Sequence, residues 1–151
     1  AQAKKLNKDS KLVYSLHGDG ELQEGQNWEA IMYAGAKGVD NIISTVDVNG
    51  QQIDGSTDKV MNMGSLEDKF TAFGFDVLVE KNGNDLNHII KTLNEAKLRT
   101  GKGKPVCILL HTEMGNGVDF MMGSHKWHGV APNDEELANA LSQNKETLGD
   151  Y

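Results

Sequence analysis

Leu-Val-Tyr-Ser-Leu-His-Gly-Asp-Gly, residues 12–20, is the stretch that decides the fold. Its apolar part is typical of a buried strand, and the Gly-Asp-Gly turn ends that strand at Asp19. A second apolar run, Ile42–Val48, ends in the same way at Asn49. Either turn alone is ordinary, but in open α/β sheets ligands bind at the carboxyl ends of strands. Because Mg²⁺ prefers oxygen ligands shared with a phosphate and water, Asp19 and Asn49 are predicted to be metal ligands beside a diphosphate.

Strands and helices alternate along the rest of the chain. The pattern predicts strands at Lys11–His17, Asn41–Val48, Phe75–Glu80 and Lys104–Thr112, and helices at Gly25–Ala36, Asp85–Leu98 and Asp134–Leu141. A short helix is expected to begin at Ser65, where Ser-Leu-Glu-Asp has the capping-box form, and Gln51–Val60 is predicted to be a loop. Continuous apolar strands separated by helices predict one α/β domain over residues 1–151, with an open, mostly parallel sheet and helices on both faces.

Charge and cysteine content restrict the possible partners and the location. The 151 residues carry a net charge of −7, which argues against nucleic acid or an anionic membrane as a partner, because either needs a basic face. Cys107 is the only cysteine, and its apolar surroundings predict a buried thiol. An intrachain disulfide is therefore ruled out, which fits a reducing compartment, and a cytoplasmic location is expected.

Three glycine-containing stretches carry the chemically distinctive residues. They read His-Gly-Asp-Gly-Glu-Leu-Gln-Glu-Gly-Gln-Asn-Trp-Glu-Ala (residues 17–30), Asp-Val-Asn-Gly-Gln-Gln-Ile-Asp-Gly (47–55) and Gly-Ser-His-Lys-Trp-His-Gly-Val-Ala-Pro (123–132). In this order and at similar intervals they resemble the thiamine-diphosphate-binding part of transketolases. The run around Trp127 is more similar to the N-terminal subunits of split transketolases. Because a further segment precedes the first strand in that family, the resemblance also implies a chain truncated at its N-terminus.

The resemblance assigns expected roles to the metal and cofactor ligands. It implies thiamine diphosphate with Mg²⁺, or Ca²⁺ or Mn²⁺ in its place, in a thiamine-diphosphate-binding fold. The metal would be held by Asp19, Asn49 and the backbone carbonyl of Gln51. The amide of Gly20, near the start of a helix that favours anions, and His125 would contact the diphosphate.

Two residues are expected to be catalytic. His125 would donate to the substrate's reacting oxygen or shuttle a proton, as histidine can near neutral pH. Glu24 matches a glutamate that joins a chain of carboxylates across the dimer interface of the family. The sequence leaves the roles of His17, His111 and His128 open.

The implied reaction is transfer of a two-carbon ketol unit from a ketose phosphate to an aldose phosphate, as in the pentose phosphate pathway. The cofactor carries the carbanion chemistry, and this chain would supply the Mg²⁺ and diphosphate half of the site. A pyrimidine-binding subunit or domain would complete it, in a homodimer or heterotetramer, and the chain alone would not turn over. Two alternatives stay open: a synthase of the deoxyxylulose-phosphate type, which the run after Asn49 disfavours, and a non-catalytic cofactor-binding or scaffold subunit. A nucleotide-binding domain with Gly-x-Gly-x-x-Gly is disfavoured because Gln23 replaces the third glycine.

Overall fold

A four-stranded parallel sheet is the centre of the structure, a computed structural model that describes residues 1–144. Its strands are β1 (Val13–Gly18), β2 (Ile42–Val48), β5 (Asp76–Glu80) and β6 (Val106–His111), in the spatial order β1-β2-β6-β5. All three strand pairs are parallel. A separate two-stranded antiparallel hairpin consists of β3 (Gln51–Gln52) and β4 (Gly55–Ser56). The predicted α/β class with a mostly parallel sheet is confirmed.

Six α-helices accompany these strands within the described residues. They are α1 (Gln2–Leu6), α2 (Gly25–Ala36), α3 (Thr57–Met61), α4 (Leu66–Ala72), α5 (Leu86–Arg99) and α6 (Asp134–Gln143). Short 3₁₀ helices occur at Glu21–Gln23 and His125–His128. No helix in residues 1–144 combines the length and the apolar character that crossing a bilayer requires.

Alternation along β6 divides the core between the two faces of the sheet. Cys107 and Leu109 face one cluster of buried side chains, to which α2 and α4 contribute Ile31 and Phe70. Val106 and Ile108 face a second cluster, to which α5 contributes Ala96. Successive strand residues point to opposite faces, so an apolar strand buried on both sides requires helices on both faces, as the sequence predicts.

Close approach of α2 to the turn after α4 depends on one glycine. A Cβ atom placed on Gly35 would lie 1.7 Å from the carbonyl oxygen of Phe73. The other end of α4 is stabilised by a cap, where Ser65 Oγ accepts a hydrogen bond from the amide of Asp68 at 3.1 Å. This is the cap predicted from the Ser-Leu-Glu-Asp sequence, and it begins the helix at Leu66.

One predicted loop is wrong. Gln51–Val60 contains the hairpin β3–β4 and most of α3. The Asp-Gly turn within it is present, with Gly55 at φ 146°, but strands of two residues are too short to show a period of two. Strand β6 also begins later than predicted, at Val106, because Pro105 has no amide to donate to a neighbouring strand.

Part of the α5 face of the sheet stays open over β1. Tyr14 and Leu16 point to this face and are 51% and 72% exposed. Together with Ile89 and Leu93 of α5 they line a groove of about 290 Å³. The edge strand β1 therefore presents an apolar surface that no described residue covers.

Candidate functional site

The carboxyl ends of β1 and β2 meet at Asp19. Gly18 pairs with Asp47 at the end of the parallel ladder, and the amide of Asp19 donates to the carbonyl of Asp47 at 3.0 Å. The Asp19 carboxylate accepts one hydrogen bond from the amide of Gly20 at 2.9 Å and another from the amide of Gly50 at 2.8 Å. Asp19 thus joins the turn after β1 to the turn after β2, which brings it next to Asn49 as strand-end reasoning predicts.

Asp19 is a buried carboxylate without a basic partner among the ion pairs of residues 1–144. Its exposed fraction is 4%. Burial raises the pKa of the Asp19 carboxyl, the amides of Gly50 and Gly20 oppose this rise, and the charge of Asp47 adds to it. Two neighbouring carboxylates with no compensating cation from the described chain favour binding of a cation.

A cavity of about 430 Å³ opens beside these strand ends. Its lining includes the three predicted metal ligands, Asp19, Asn49 and Gln51. Asn49 Oδ1 accepts a hydrogen bond from the amide of Gln51 at 2.8 Å, which leaves one of its lone pairs free. The donor set consists of hard oxygens, which suit Mg²⁺, and no cluster of three histidine, cysteine or acidic side chains competes with it within the described residues.

Gln52 provides a second sign of an unfinished polar site. Its Oε1 atom is buried and has no hydrogen-bond partner among the described residues, although Gln52 lines the same cavity. Buried polar atoms are normally paired. The absence of a side chain at Gly20 lets Gln52 pack closely against it, since a Cβ atom there would lie 3.0 Å from Gln52 Cβ.

Gly20 is followed by a shorter helix than its predicted role assumes. Its amide donates to Asp19, and the element that follows is a three-residue 3₁₀ turn, Glu21–Gln23, whereas α2 begins only at Gly25. A single short turn does not supply the dipole of a long helix. The expectation that a helix start at Gly20 favours an anion is therefore not met by this arrangement, and the contact of Gly20 with a diphosphate stays a prediction.

The two histidines of the third motif lie on one 3₁₀ helix, His125–His128. Trp127 anchors this helix, because its indole nitrogen donates to the carbonyl of Phe120 at 3.0 Å and the two rings pack edge to face at 5.3 Å. His128 lines the cavity that contains Asp19. His125 lines an adjoining cavity of about 580 Å³, and Ile53 contributes to both cavities.

Glu24 is exposed and precedes the first residue of α2. It does not line the cavity of Asp19 and Asn49, so its predicted catalytic role depends on a neighbouring subunit and stays a prediction.

Sequence reasoning also overlooked Asp47, which lines this cavity. Its position could have been predicted, because it lies two residues before Asn49 and side chains two apart along an extended chain point to the same side.

Comparison with known proteins identifies the fold family. The family described as "Transketolase, thiamine diphosphate binding domain" matches residues 3–149. The chain belongs to the transketolase family. The expected resemblance is thereby confirmed, and the family description supports thiamine diphosphate as the cofactor of this domain.

Individual transketolases cover nearly the whole chain. The chain is 39% identical over 148 residues to one subunit of the apulose-4-phosphate transketolase of Phocaeicola vulgatus, covering 98% of this chain and 52% of the relative. It is 37% identical over 131 residues to the 6-deoxy-6-sulfo-D-fructose transketolase subunit SqwG of a Clostridium species, covering 87% and 46%. The crystal structure of Campylobacter jejuni transketolase superposes with a TM-score of 0.79 at 37% identity, covering 88% of this chain and 20% of that one. The chain spans about half the length of the two curated relatives, which are named as subunits.

Proposed function

We propose that this chain provides the metal- and diphosphate-binding half of a transketolase-type active site. The reaction would transfer a two-carbon ketol unit from a ketose phosphate to an aldose phosphate. One observation carries the proposal: the buried Asp19 joins two strand ends in an oxygen-lined cavity and has no basic partner among the described residues. When bound, thiamine diphosphate would supply the carbanion chemistry that no side chain provides.

The cation would be held by oxygens of three residues that share this cavity. Asp19 offers a carboxylate, Asn49 an amide oxygen with a free lone pair, and Gln51 a backbone carbonyl. Mg²⁺ keeps several positions for phosphate oxygens and water, so three protein ligands leave room for a diphosphate. Ca²⁺ and Mn²⁺ share the preference for oxygen and would replace Mg²⁺.

The histidine helix would handle protons at the edge of the site. His125 and His128 face two adjoining cavities that meet at Ile53. His125 would donate a hydrogen bond to the reacting oxygen of the substrate and hold or release a proton there. His128, which shares a cavity with Asp19, would contact the diphosphate side.

A second polypeptide or domain would complete the site. Ile53 and Val130 line the cavity of His125 and are 72% and 62% exposed, so this wall has apolar side chains without a covering surface in residues 1–144. Exposed apolar patches at a cleft are typical of interaction sites. The relatives named as subunits support a split enzyme, and the partner would bring the group that activates the pyrimidine ring of the cofactor. A homodimer or heterotetramer of such pairs in the cytoplasm, acting in the pentose phosphate pathway, is our proposal for its setting.

A titration of thiamine diphosphate tests this function directly. Calorimetry is performed on the complete protein with and without its candidate partner subunit, first in Mg²⁺ and then in EDTA. We expect binding that requires Mg²⁺ and tightens with the partner, together with ketol transfer between sugar phosphates in the same mixture. Binding without transfer would support the alternative of a non-catalytic subunit, and no binding with the partner present would refute the proposal.

Asp19→Ala and Asp54→Ala form a matched pair for the metal assignment. Both carboxylates line the same cavity, but Asp54 is exposed and lies outside the proposed ligand set. Since loss of a partner of a metal ligand already costs about 10–100-fold in affinity, Asp19→Ala should weaken Mg²⁺ binding by more than about 100-fold. Asp54→Ala should weaken it by less than about threefold on the same scale. Equal effects would mean that only the total negative charge of the cavity matters.

A further inference from the structure

Asp47 uses both oxygens of its carboxylate inside the candidate site. One oxygen accepts a hydrogen bond from Asn49 Nδ2 at 3.2 Å, and the other accepts from the hydroxyl of Thr112. Its backbone carbonyl also accepts from the amide of Asp19 at 3.0 Å. Asp47 therefore contacts both strand ends that carry the proposed metal ligands, yet it is not itself one of them.

The chemistry of this contact fixes the orientation of Asn49. An ionised carboxylate only accepts hydrogen bonds, whereas an amide side chain has a donating nitrogen and an accepting oxygen. Rotation about the last bond of asparagine is broad and nearly two-fold, so the amide needs a neighbour that distinguishes its two ends. Asp47 attracts the nitrogen, and the amide of Gln51 donates to Asn49 Oδ1 on the opposite side at 2.8 Å, so the two contacts favour the same orientation.

Thr112 in turn limits the freedom of Asp47. It follows β6, the strand next to β2 in the sheet, and its hydroxyl donates to the carboxylate oxygen that Asn49 does not use. The chain of contacts therefore runs from Thr112 to Asp47 and on to Asn49. Thr112 follows β6 and Asp47 lies on the neighbouring strand β2, so the parallel sheet gives Asn49 a rigid support.

We propose that Asp47 is a positioning residue that presents the amide oxygen of Asn49 to the cation. This inference rests on the proposed cofactor site described above. Ligands of bound metals are commonly oriented by hydrogen bonds from outer residues, and here the orienting group is a carboxylate on β2, two residues before Asn49 in the turn that follows the strand. Its negative charge also adds to the attraction of the site for a cation, so position and charge must be separated by experiment.

The test measures the Mg²⁺ concentration that half-saturates thiamine diphosphate binding in the complete protein with its partner subunit. Asp47→Ala removes the acceptor and should raise this concentration at least about tenfold. Asp47→Asn removes the charge but keeps an oxygen that can accept from Asn49, so the concentration should rise by less than about threefold. Thr112→Val removes only the supporting hydroxyl and should also stay within about threefold. The melting temperature of each metal-free variant is measured in parallel.

Each alternative has its own result. An Asp47→Asn variant as weak as Asp47→Ala would mean that charge acts without positioning and would overturn the proposal. A Thr112→Val variant that binds as weakly as Asp47→Ala, with a lowered metal-free melting temperature, would mean that Asp47 acts only by connecting β2 to the end of β6. That result would also overturn the proposal. If Asp47→Ala does not fold, Asp47→Ser, whose hydroxyl is too short to reach Asn49, takes its place with the same expected rise. Mg²⁺-independent binding or none in the wild type would instead refute the proposed function.

Discussion

Gly35 is the position where one added carbon atom should be most costly. It lies near the end of α2, where its backbone approaches the carbonyl of Phe73 in the turn that follows α4. A Cβ atom there would lie 1.7 Å from the carbonyl oxygen and 2.9 Å from the carbonyl carbon. The atoms that collide belong to backbone and not to a flexible side chain, so α2 or the turn must move by on the order of 1 Å or more. Protein interiors resist such shifts because they are close-packed.

The expected loss of stability follows from two opposing effects. Replacing glycine by alanine inside a helix stabilises it by about 1 kcal/mol. Overpacking costs about 1–3 kcal/mol, and a backbone collision lies at the upper end of that range. Gly35→Ala should therefore lower the free energy of unfolding by about 2 kcal/mol, a fall in melting temperature of about 4–8 °C for a chain of this size.

Gly25→Ala is the control for this measurement. Gly25 begins the same helix, and no atom lies within 4 Å of its added Cβ, so the substitution should leave stability unchanged or raise it by up to about 1 kcal/mol. Both variants are compared with the wild type by thermal and urea unfolding followed by circular dichroism. A Gly35→Ala variant as stable as Gly25→Ala would refute the close packing of α2 against this turn.

Three further predictions concern the site, the surface and the core. His125→Ala should lower kcat of the assembled enzyme about 100-fold with little change in cofactor Kd, whereas His128→Ala should mainly weaken cofactor binding. Turnover assays measure the first effect and calorimetry measures the second. Identical profiles for the two variants would contradict the two assignments. Lys5 donates to Asp40 and lowers the pKa of its carboxyl. The stability that this ion pair contributes is complete above the pKa of aspartate in the unfolded chain, near 4. It is lost as the pH falls through the lower pKa of Asp40 in the folded protein. Asp40→Asn should therefore flatten acid destabilisation below about pH 4 in urea titrations, and an unchanged slope would count against the pair. Burial raises the pKa of the Cys107 thiol, so it should react with a thiol reagent only as fast as the protein unfolds, and rapid labelling of the native protein would show that the core is open.

The sheet and its order of elements could be predicted because their signals are local. The sequence pattern predicts helix α2 with the bounds that the structure has, Gly25–Ala36, since its apolar spacing is regular and a glycine follows its end. The hairpin at Gln51–Ser56 could not be predicted in the same way. Its two-residue strands form only because the chain reverses at the Asp-Gly turn, and no periodicity develops over so short a distance.

For the same reason, only part of the candidate site could be predicted from the sequence. Proximity of Asp19 to Asn49 follows from the rule that parallel strands end at one edge. The amide direction of Gly20 and the presence of His128, rather than His125, in the cavity of Asp19 do not follow from any rule of spacing. The placement of the histidine helix depends on the contact of Trp127 with Phe120, seven residues earlier, and such packing is decided only when the tertiary structure forms.

The two hydrogen bonds that Asp19 accepts from backbone amides connect separate parts of the chain. Gly20 donates to one oxygen of the carboxylate and Gly50 to the other, so a single side chain links the turns after β1 and β2. A cation bound by this carboxylate in the proposed site would therefore act on both turns at once. Two separate segments of backbone would then respond together to the occupation of one side chain.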